Sequence, residues 1–317
     1  MKYDQTSESR LILMGGAPRS GTTVVQNMLD CHPEILGGPE FLHLPDIVRL
    51  WKQLRSSESR GWISLICSAE EIDSRIRALI LDFLLSFADR HGAKYVSEKS
   101  PENVLVFPEL VELLPGARFI HVVRDPRATV ASLLTVGQRF KSKGEPPAPF
   151  TADTPSAIRH VKECLDGGFR AAQIAPGKIH TLVYERLIED PEREGRDLCR
   201  FLGIDWDPAM TRPGEKKHLG EAAITVNSKE IWYDAQTYYS NPNADSLEKW
   251  RETLTLSQRY GIYKAFRNSD ELRKLGYDLS LTELSPVSRV ISFLSYGADR
   301  LRQAIWQRLK RALRALI

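Results

Sequence analysis

The chain has 317 residues, of which 42% are hydrophobic and 27% charged, ordinary fractions for a soluble globular protein. Its formal net charge is only +3, which excludes bulk attraction to nucleic acid and leaves any anion binding to locally placed cations. Four cysteines without a CxxC pair and the polar N-terminus MKYDQTSESR predict free thiols, no metal site and a cytoplasmic protein.

Predicted strands alternate with predicted helices along most of the chain. In chain order they are strand Arg10–Met14, helix Thr22–Asp30, helix Ser68–His91, strand Lys94–Ser97, strand Arg118–Val123, helix Arg127–Val136 and strand Lys178–Val183. This alternation predicts an α/β fold with a parallel sheet flanked by helices. We assign residues 1–284 to that domain, with an irregular segment over the site at Asp207–Asp245, and residues 285–317 to a C-terminal helix.

A glycine-rich loop, Gly16 to Thr23 (GAPRSGTT), separates the first strand from the first helix. It matches the P-loop pattern G-x-x-x-x-G-K-[ST], except that Thr22 replaces the lysine and the cation lies inside the loop at Arg19. The glycines allow a tight turn whose N–H groups point inward, and the helix adds the positive end of its dipole. The loop therefore predicts an anion-binding site in a P-loop-type fold.

A second anion site is predicted where the strand Arg118–Val123 ends in the sequence Arg124-Asp-Pro-Arg127. Ligands of open α/β sheets bind at the carboxyl ends of the strands, and an arginine there can grip a phosphate with two hydrogen bonds. Ser132 follows about two helical turns later.

Together the two motifs P-R-S-G-T-T and R-D-P-R-x-x-x-x-S resemble those of sulfotransferases that use 3′-phosphoadenosine 5′-phosphosulfate (PAPS). The resemblance implies that Arg124 and Ser132 hold the 3′-phosphate and that Tyr184, in a Y-E segment, lies near the nucleotide, although this tyrosine could equally pack in the core. It also implies that the product is adenosine 3′,5′-bisphosphate. The residues implied to bind the phosphosulfate are Arg19, Ser20, Gly21, Thr22 and Thr23.

From Arg19 to Glu40 the chain resembles the tyrosylprotein sulfotransferases, with R-S-G-T-T, M-L-D, H-P and G-x-E in the same order. This resemblance implies that Glu40 is the general base and that Lys99 and Arg19 contact the transferring group. Pro101, which cannot act as a base, stands where the small-molecule sulfotransferases carry a catalytic histidine, and this favours the glutamate mechanism. His43, three residues beyond Glu40, is the alternative base. Leu42 replaces an arginine of the tyrosylprotein group, and Ser228 loosely resembles a late active-site serine. The hydroxyl or amine acceptor stays open.

Two other functions and the role of the tail also stay open. An ATP-dependent small-molecule kinase predicts a need for ATP and magnesium, against which the missing P-loop lysine argues. A membrane-associated module that binds a phosphorylated ligand without turnover predicts that Glu40 and Lys99 do not face the ligand. Residues 286–317 combine leucines with arginines, which predicts an amphipathic helix on a peripheral membrane surface, in a homodimer or packed back on the domain.

Overall fold

The computed structural model describes residues 3–222, 229–232, 244 and 247–314. These fall into two units, the first formed by residues 1–124 and 163–244 and the second by residues 125–162 and 245–317. The sheet and the predicted loop Gly16–Thr23 belong to the first unit. The boundary predicted at residue 284 stays a prediction.

Five parallel strands form the sheet of the first unit, in the order β2-β3-β1-β4-β5. The strands are β1 (Leu11–Gly16), β2 (Ile35–Gly37), β3 (Tyr95–Lys99), β4 (Arg118–Val123) and β5 (Ile179–Val183). Every residue of β1 is buried, as expected for a central strand that is covered on both faces. The carboxyl ends of β3, β1 and β4 are therefore neighbours at one edge of the sheet.

The α-helices of the described residues are, in chain order, α1 (Thr22–Asp30), α2 (Leu44–Ser59), α3 (Ala69–Arg90), α4 (Phe107–Leu113), α5 (Pro126–Ser142), α6 (Thr154–Ile174), α7 (Tyr184–Glu189), α8 (Pro191–Leu202), α9 (Leu219–Ala222), α10 (Lys229–Trp232), α11 (Trp250–Thr253), α12 (Leu256–Phe266), α13 (Asp270–Lys274) and α14 (Pro286–Arg314). Short 3-10 helices cover Gln5–Arg10, Pro101–Val106, Pro149–Thr151, Pro208–Thr211 and Pro213–Glu215.

The predicted α/β fold, with its parallel sheet and flanking helices, is confirmed. Ser68 caps α3 in a capping box with Glu71, as its sequence indicates. Strand β3 continues two residues past its predicted end, to Lys99, because Glu98 and Lys99 pair in register with Leu13 and Met14 of β1. Both are buried despite their charges. Strand β2 was not predicted, since three residues are too few to give a periodic signal.

The second unit consists of helices, and within it α14 packs on α12. Tyr260 lies between two aromatic residues of α14, with ring centroids 5.4 Å from Tyr296 and 5.6 Å from Phe293. Ser257 donates a hydrogen bond to Asp299 at 2.7 Å. The amino-terminal half of the tail helix is therefore packed against its own unit. A membrane surface or a second copy as its partner stays a prediction, as does its amphipathic character.

No helix among the described residues has the length and apolar character needed to cross a lipid bilayer.

Candidate functional site

The loop between β1 and α1 is tight and depends on two glycines. A Cβ at Gly16 would collide with the carbonyl oxygen of Val122 and lie 2.8 Å from Ser20 Oγ, so the loop passes directly over β4. Gly21 caps α1 with a φ of 101°, a left-handed conformation that glycine adopts without strain. Arg19 has a φ of 76°, and the Ser20 N–H donates to the Ala17 carbonyl at 2.9 Å.

The loop presents hydrogen-bond donors toward its interior. The first N–H groups of any α-helix have no partner within the helix, and glycine at the cap of α1 has no side chain to supply one. Thr22 and Thr23, which begin the helix, are buried. Ser20 Oγ is also buried and has no hydrogen-bond partner among the described residues. These donors at the positive end of a helix dipole fit a phosphate or sulfate group.

Arg124 joins this loop to the end of β4. Its Nη1 donates to the Arg19 carbonyl oxygen at 3.2 Å, and its guanidinium lies 4.6 Å from the centroid of the Tyr184 ring. The same ring fills the space in which a Cβ of Gly21 would lie. Tyr184 is only 6% exposed, so it packs between the loop and the arginine. The two predicted anion sites therefore adjoin at one edge of the sheet.

The Arg19 side chain points toward a later segment of the chain. Its Nη1 donates to the carbonyl oxygen of Trp232 at 2.7 Å, which brings α10 close to the loop. Trp232 lies in the segment Asp207–Asp245 that was predicted to cover the site, and part of that segment lies outside the described residues. The sequence alone gave no indication of this contact.

Lys99 and Glu40, which are far apart in sequence, form an ion pair beside α1. Lys99 Nζ lies 2.5 Å from Glu40 Oε1 and 3.3 Å from Thr23 Oγ1. The lysine is the last residue of β3, where it pairs in register with Met14 of β1, and its side chain is 4% exposed against 23% for Glu40. The ammonium therefore lies between a carboxylate that faces solvent and the first turn of α1.

A second carboxylate lies beneath this pair. Glu98 is buried, which raises its pKa, while hydrogen bonds from Ser100, Phe41 and Asn103 act in the opposite direction. Sequence reasoning singled out Lys99 but not Glu98 or Ser100. Two successive charged residues at the end of a predicted strand were the signal that could have identified Glu98.

Three further residues were predicted for the site: His43, Ser132 and Ser228. His43 is mostly exposed, its Nδ1 is 3.6 Å from Asp46, and its ring meets the edge of the Phe41 ring at 5.5 Å. Ser132 is half-buried on α5 of the second unit, and its role at a 3′-phosphate stays a prediction. Ser228 lies outside the described residues. Within the described residues, no cluster of His, Cys, Asp and Glu is arranged to hold a metal ion.

Comparisons with known proteins agree on one family. The sequence model described as the sulfotransferase family matches residues 12–208. Protein-tyrosine sulfotransferase 1 of Danio rerio is 30% identical over 280 residues, covering 84% of this chain and 72% of that protein. Protein-tyrosine sulfotransferase A of Caenorhabditis elegans is 27% identical over 287 residues, covering 87% of this chain and 69% of that protein.

Solved structures with the same fold include two sulfotransferase domains. The sulfotransferase domain of the Synechococcus PCC 7002 olefin synthase has a TM-score of 0.55 at 20% identity, covering 85% of this chain and 95% of that chain. The sulfotransferase domain of the curacin biosynthetic pathway has a TM-score of 0.56 at 18% identity, covering 85% and 98%. At these identities the likeness concerns the fold alone.

The predicted cytoplasmic location is wrong. The curated relatives are protein-tyrosine sulfotransferases, which are Golgi enzymes that act on secreted proteins. The prediction relied on unpaired cysteines and on the polar residues at the start of the sequence. The four cysteines are free thiols in the structure, but free thiols do not identify a compartment.

Proposed function

The chain belongs to the family of PAPS-dependent sulfotransferases, and we propose that Glu40 and Lys99 catalyse its transfer of a sulfuryl group to a phenolic hydroxyl, that of a protein tyrosine. The observation that carries this proposal is the short contact between Lys99 and Glu40 beside the first turn of α1. In this contact Lys99 is the cation proposed to stabilise the leaving group, and Glu40 is the carboxylate proposed to deprotonate the acceptor. Both lie beside the loop proposed to hold the donor.

The donor is proposed to lie across the two adjoining anion sites. Ser20, Thr22, Thr23 and the N–H groups around Gly21 bind the phosphosulfate, and the Arg19 guanidinium adds positive charge. Arg124 binds the 3′-phosphate from the end of β4. Its hydrogen bond to the Arg19 carbonyl supports this assignment, because one adenosine bisphosphate must reach both sites. Tyr184 holds the loop and Arg124 in place by packing against both.

The reaction requires one bond to break as another forms. The sulfur–oxygen bond to the donor phosphate breaks, a new bond from sulfur to the acceptor oxygen forms in line with it, and the phenolic proton passes to Glu40. Lys99 stabilises the charge that develops on the leaving phosphate oxygen, as preorganised cations do in phosphoryl transfer. General base catalysis of this kind typically contributes about 10²- to 10⁴-fold.

A surface of aromatic and aliphatic side chains next to Glu40 favours a flat acceptor. The rings of Phe41 and Phe83 are 5.4 Å apart, and Leu42 and Phe83 are each 53% exposed. Exposed apolar side chains beside a base suit the face of a phenol, which stacks or packs edge-on with such groups. The names of the curated relatives point to the same acceptor, protein tyrosine.

Calorimetry and a transfer assay test this function. We expect adenosine 3′,5′-bisphosphate to bind tightly and ATP weakly, and labelled sulfate to move from PAPS to peptides that contain tyrosine but not to the same peptides with phenylalanine. The conservative variant Glu40→Gln should retain bisphosphate binding and lose most turnover. Preference for ATP with magnesium would favour a kinase, and bisphosphate binding without any transfer would favour a binding module.

A further inference from the structure

The backbone that follows Glu40 is attached through two consecutive N–H groups to Glu98 of β3 and to Ser100, the residue just after that strand. The Phe41 N–H donates to Glu98 Oε1 at 3.0 Å, and the Leu42 N–H donates to Ser100 Oγ at 3.0 Å. The Ser100 hydroxyl in turn donates to Glu98 Oε1 at 2.5 Å. Glu98 Oε1 therefore holds both N–H groups: it accepts directly from Phe41, and it is linked to Leu42 through the Ser100 hydroxyl.

Glu98 is surrounded by hydrogen-bond donors in the core. It is 3% exposed, and the Asn103 side-chain amide donates to its other oxygen. A buried carboxyl group is costly unless it is hydrogen-bonded, so these hydrogen bonds favour one position of the segment attached to Glu98.

Leu42 adopts a backbone conformation that needs such support. Its φ is 62°, in the left-handed region that few residues other than glycine adopt. Its side chain is 53% exposed, so packing of that side chain does not account for the conformation. The hydrogen bond from its N–H to Ser100 does, because it fixes the residue from the backbone side.

We propose that Glu98 and Ser100 form a positioning pair that sets the Glu40 carboxylate at its distance from Lys99. The proposal rests on the proposed function of Glu40 and adds the residues that control its placement. Both residues act through the backbone after Glu40 rather than on the substrate. Glu98 and Lys99 are successive residues of β3, so the same strand presents the cation and anchors the segment that carries the base.

Substitution of Ser100 by alanine removes the link to Leu42 without adding bulk. We expect Ser100→Ala and Glu98→Gln to lower kcat by about 10- to 100-fold, since misplacement of a catalytic group by an ångström can cost that much. The affinity for adenosine 3′,5′-bisphosphate should not change. Amide hydrogen exchange in a peptide spanning residues 38–43 should become faster.

Ser97→Ala is the matched control. Ser97 is a buried serine of β3, three residues before Ser100, and its hydroxyl donates to Gln26 rather than accepting a hydrogen bond from the segment after Glu40. We expect this variant to keep the wild-type kcat and the wild-type exchange of residues 38–43, whatever its thermal stability. An equal loss of kcat in Ser97→Ala and Ser100→Ala would overturn the proposal, because general destabilisation would then explain both.

Glu40→Gln separates this inference from the function on which it rests. Wild-type turnover in Glu40→Gln would remove the role of Glu40 as the base. Unchanged hydrogen exchange and kcat in Ser100→Ala, with Glu40→Gln inactive, would instead overturn the positioning pair and leave the proposed function standing.

Discussion

The two ends of helix α1 carry polar clusters of opposite kinds. At its start, Thr23 meets the ammonium of Lys99, while Ser20 Oγ and the N–H groups of the first turn are left for a ligand. At its end, the Asp30 carboxylate is satisfied by the protein itself. Gly37 N–H donates to one oxygen at 2.8 Å, and His218 Nδ1 lies 2.6 Å from the other.

Electrostatics explain why the Asp30 carboxylate at the C-terminal end of α1 needs hydrogen-bond partners within the protein. A carboxylate near the C-terminus of a helix is disfavoured by the helix dipole, and burial adds a desolvation cost. Burial alone would raise the pKa of Asp30, but the hydrogen bonds from His218 and Gly37 and the charge of Lys216 hold that pKa below its usual value. The second ring nitrogen of His218 bonds the Pro213 carbonyl at 2.8 Å, which completes the cluster.

The start of α1 has the reverse arrangement. The positive end of the dipole, Lys99 and Arg19 all favour an anion, and the carboxylate of Glu40 forms an ion pair with Lys99 there. A cluster with spare donors is prepared for a ligand, whereas a cluster whose donors and acceptors are all matched serves the fold. The contrast predicts that substitutions at the two ends affect different measurements.

The largest effect on the free energy of unfolding is expected at Asp30, at the C-terminal end of α1. Asp30→Ala leaves His218 and the Gly37 N–H without their acceptor and should lower the free energy of unfolding by about 2–6 kcal/mol, since each buried donor left unsatisfied costs about 1–3 kcal/mol. The native fold lowers the pKa of the wild-type Asp30 carboxyl below 3.8, its ordinary value. The stability that the carboxylate contributes is therefore complete above pH 3.8 and is lost as the pH falls through the pKa of the native protein. Urea unfolding at pH 7 and pH 3 measures both.

Thr23→Val is the matching substitution at the N-terminal end of α1, for comparison with Asp30→Ala. It should change the free energy of unfolding far less and should instead reduce turnover. If both variants lose stability to the same degree and turnover stays intact, the contrast between the two ends is wrong.

The next effect concerns catalysis. Lys99→Ala should lower kcat by about 10²- to 10³-fold, or about 3–4 kcal/mol of transition-state stabilisation, because the leaving oxygen loses its cation. The affinity for adenosine 3′,5′-bisphosphate measured by calorimetry should persist. The control is Lys94→Ala, which removes an exposed lysine paired with Glu34 just before the same strand. Wild-type kcat in Lys99→Ala would remove its catalytic role.

The smallest effect is expected at His121, a buried polar residue that belongs to neither end of α1. His121 lies inside the sheet next to Phe169, and neither ring nitrogen has a hydrogen-bond partner among the described residues. Burial lowers its pKa from 6.5 to about 3. Between pH 6.5 and about pH 3 the unfolded chain binds a proton that the native protein does not. Lowering the pH through this range should therefore decrease the free energy of unfolding by about 1.4 kcal/mol per pH unit.

His121→Leu should remove this dependence while preserving an apolar fit against Phe169. Urea unfolding of both proteins at pH 7 and pH 5 gives the comparison. Parallel losses of stability in the two proteins would show that His121 does not titrate as its burial requires.

How far the sequence predicts the molecule depends on how local each feature is. The loop Gly16–Thr23 and the arginine after β4 are contiguous motifs, so they were predicted together with the strands and helices around them. The importance of Glu40 and Lys99 came from the family resemblance, and their distance of 2.5 Å came from the structure.

Features that join distant parts of the chain were missed for a physical reason. Asp30 and His218 are 188 residues apart, and no local pattern indicates that they meet. The same holds for the contact of Arg19 with Trp232 and for the hydrogen bonds of Glu98 with the segment after Glu40. Propensity and periodicity describe neighbours along the chain, whereas these contacts are decided by the tertiary fold.

The strand order has a consequence for how the protein is made. Strand β1 is the first of the five strands to be synthesised, but it pairs with β3 and β4, and β4 pairs with β5, so the sheet cannot be completed until residue 183 has been synthesised. Pairing at such separations has high contact order and is slow. The apolar residues of β1 therefore wait exposed in the nascent chain, and the nucleotide can stabilise only the finished product.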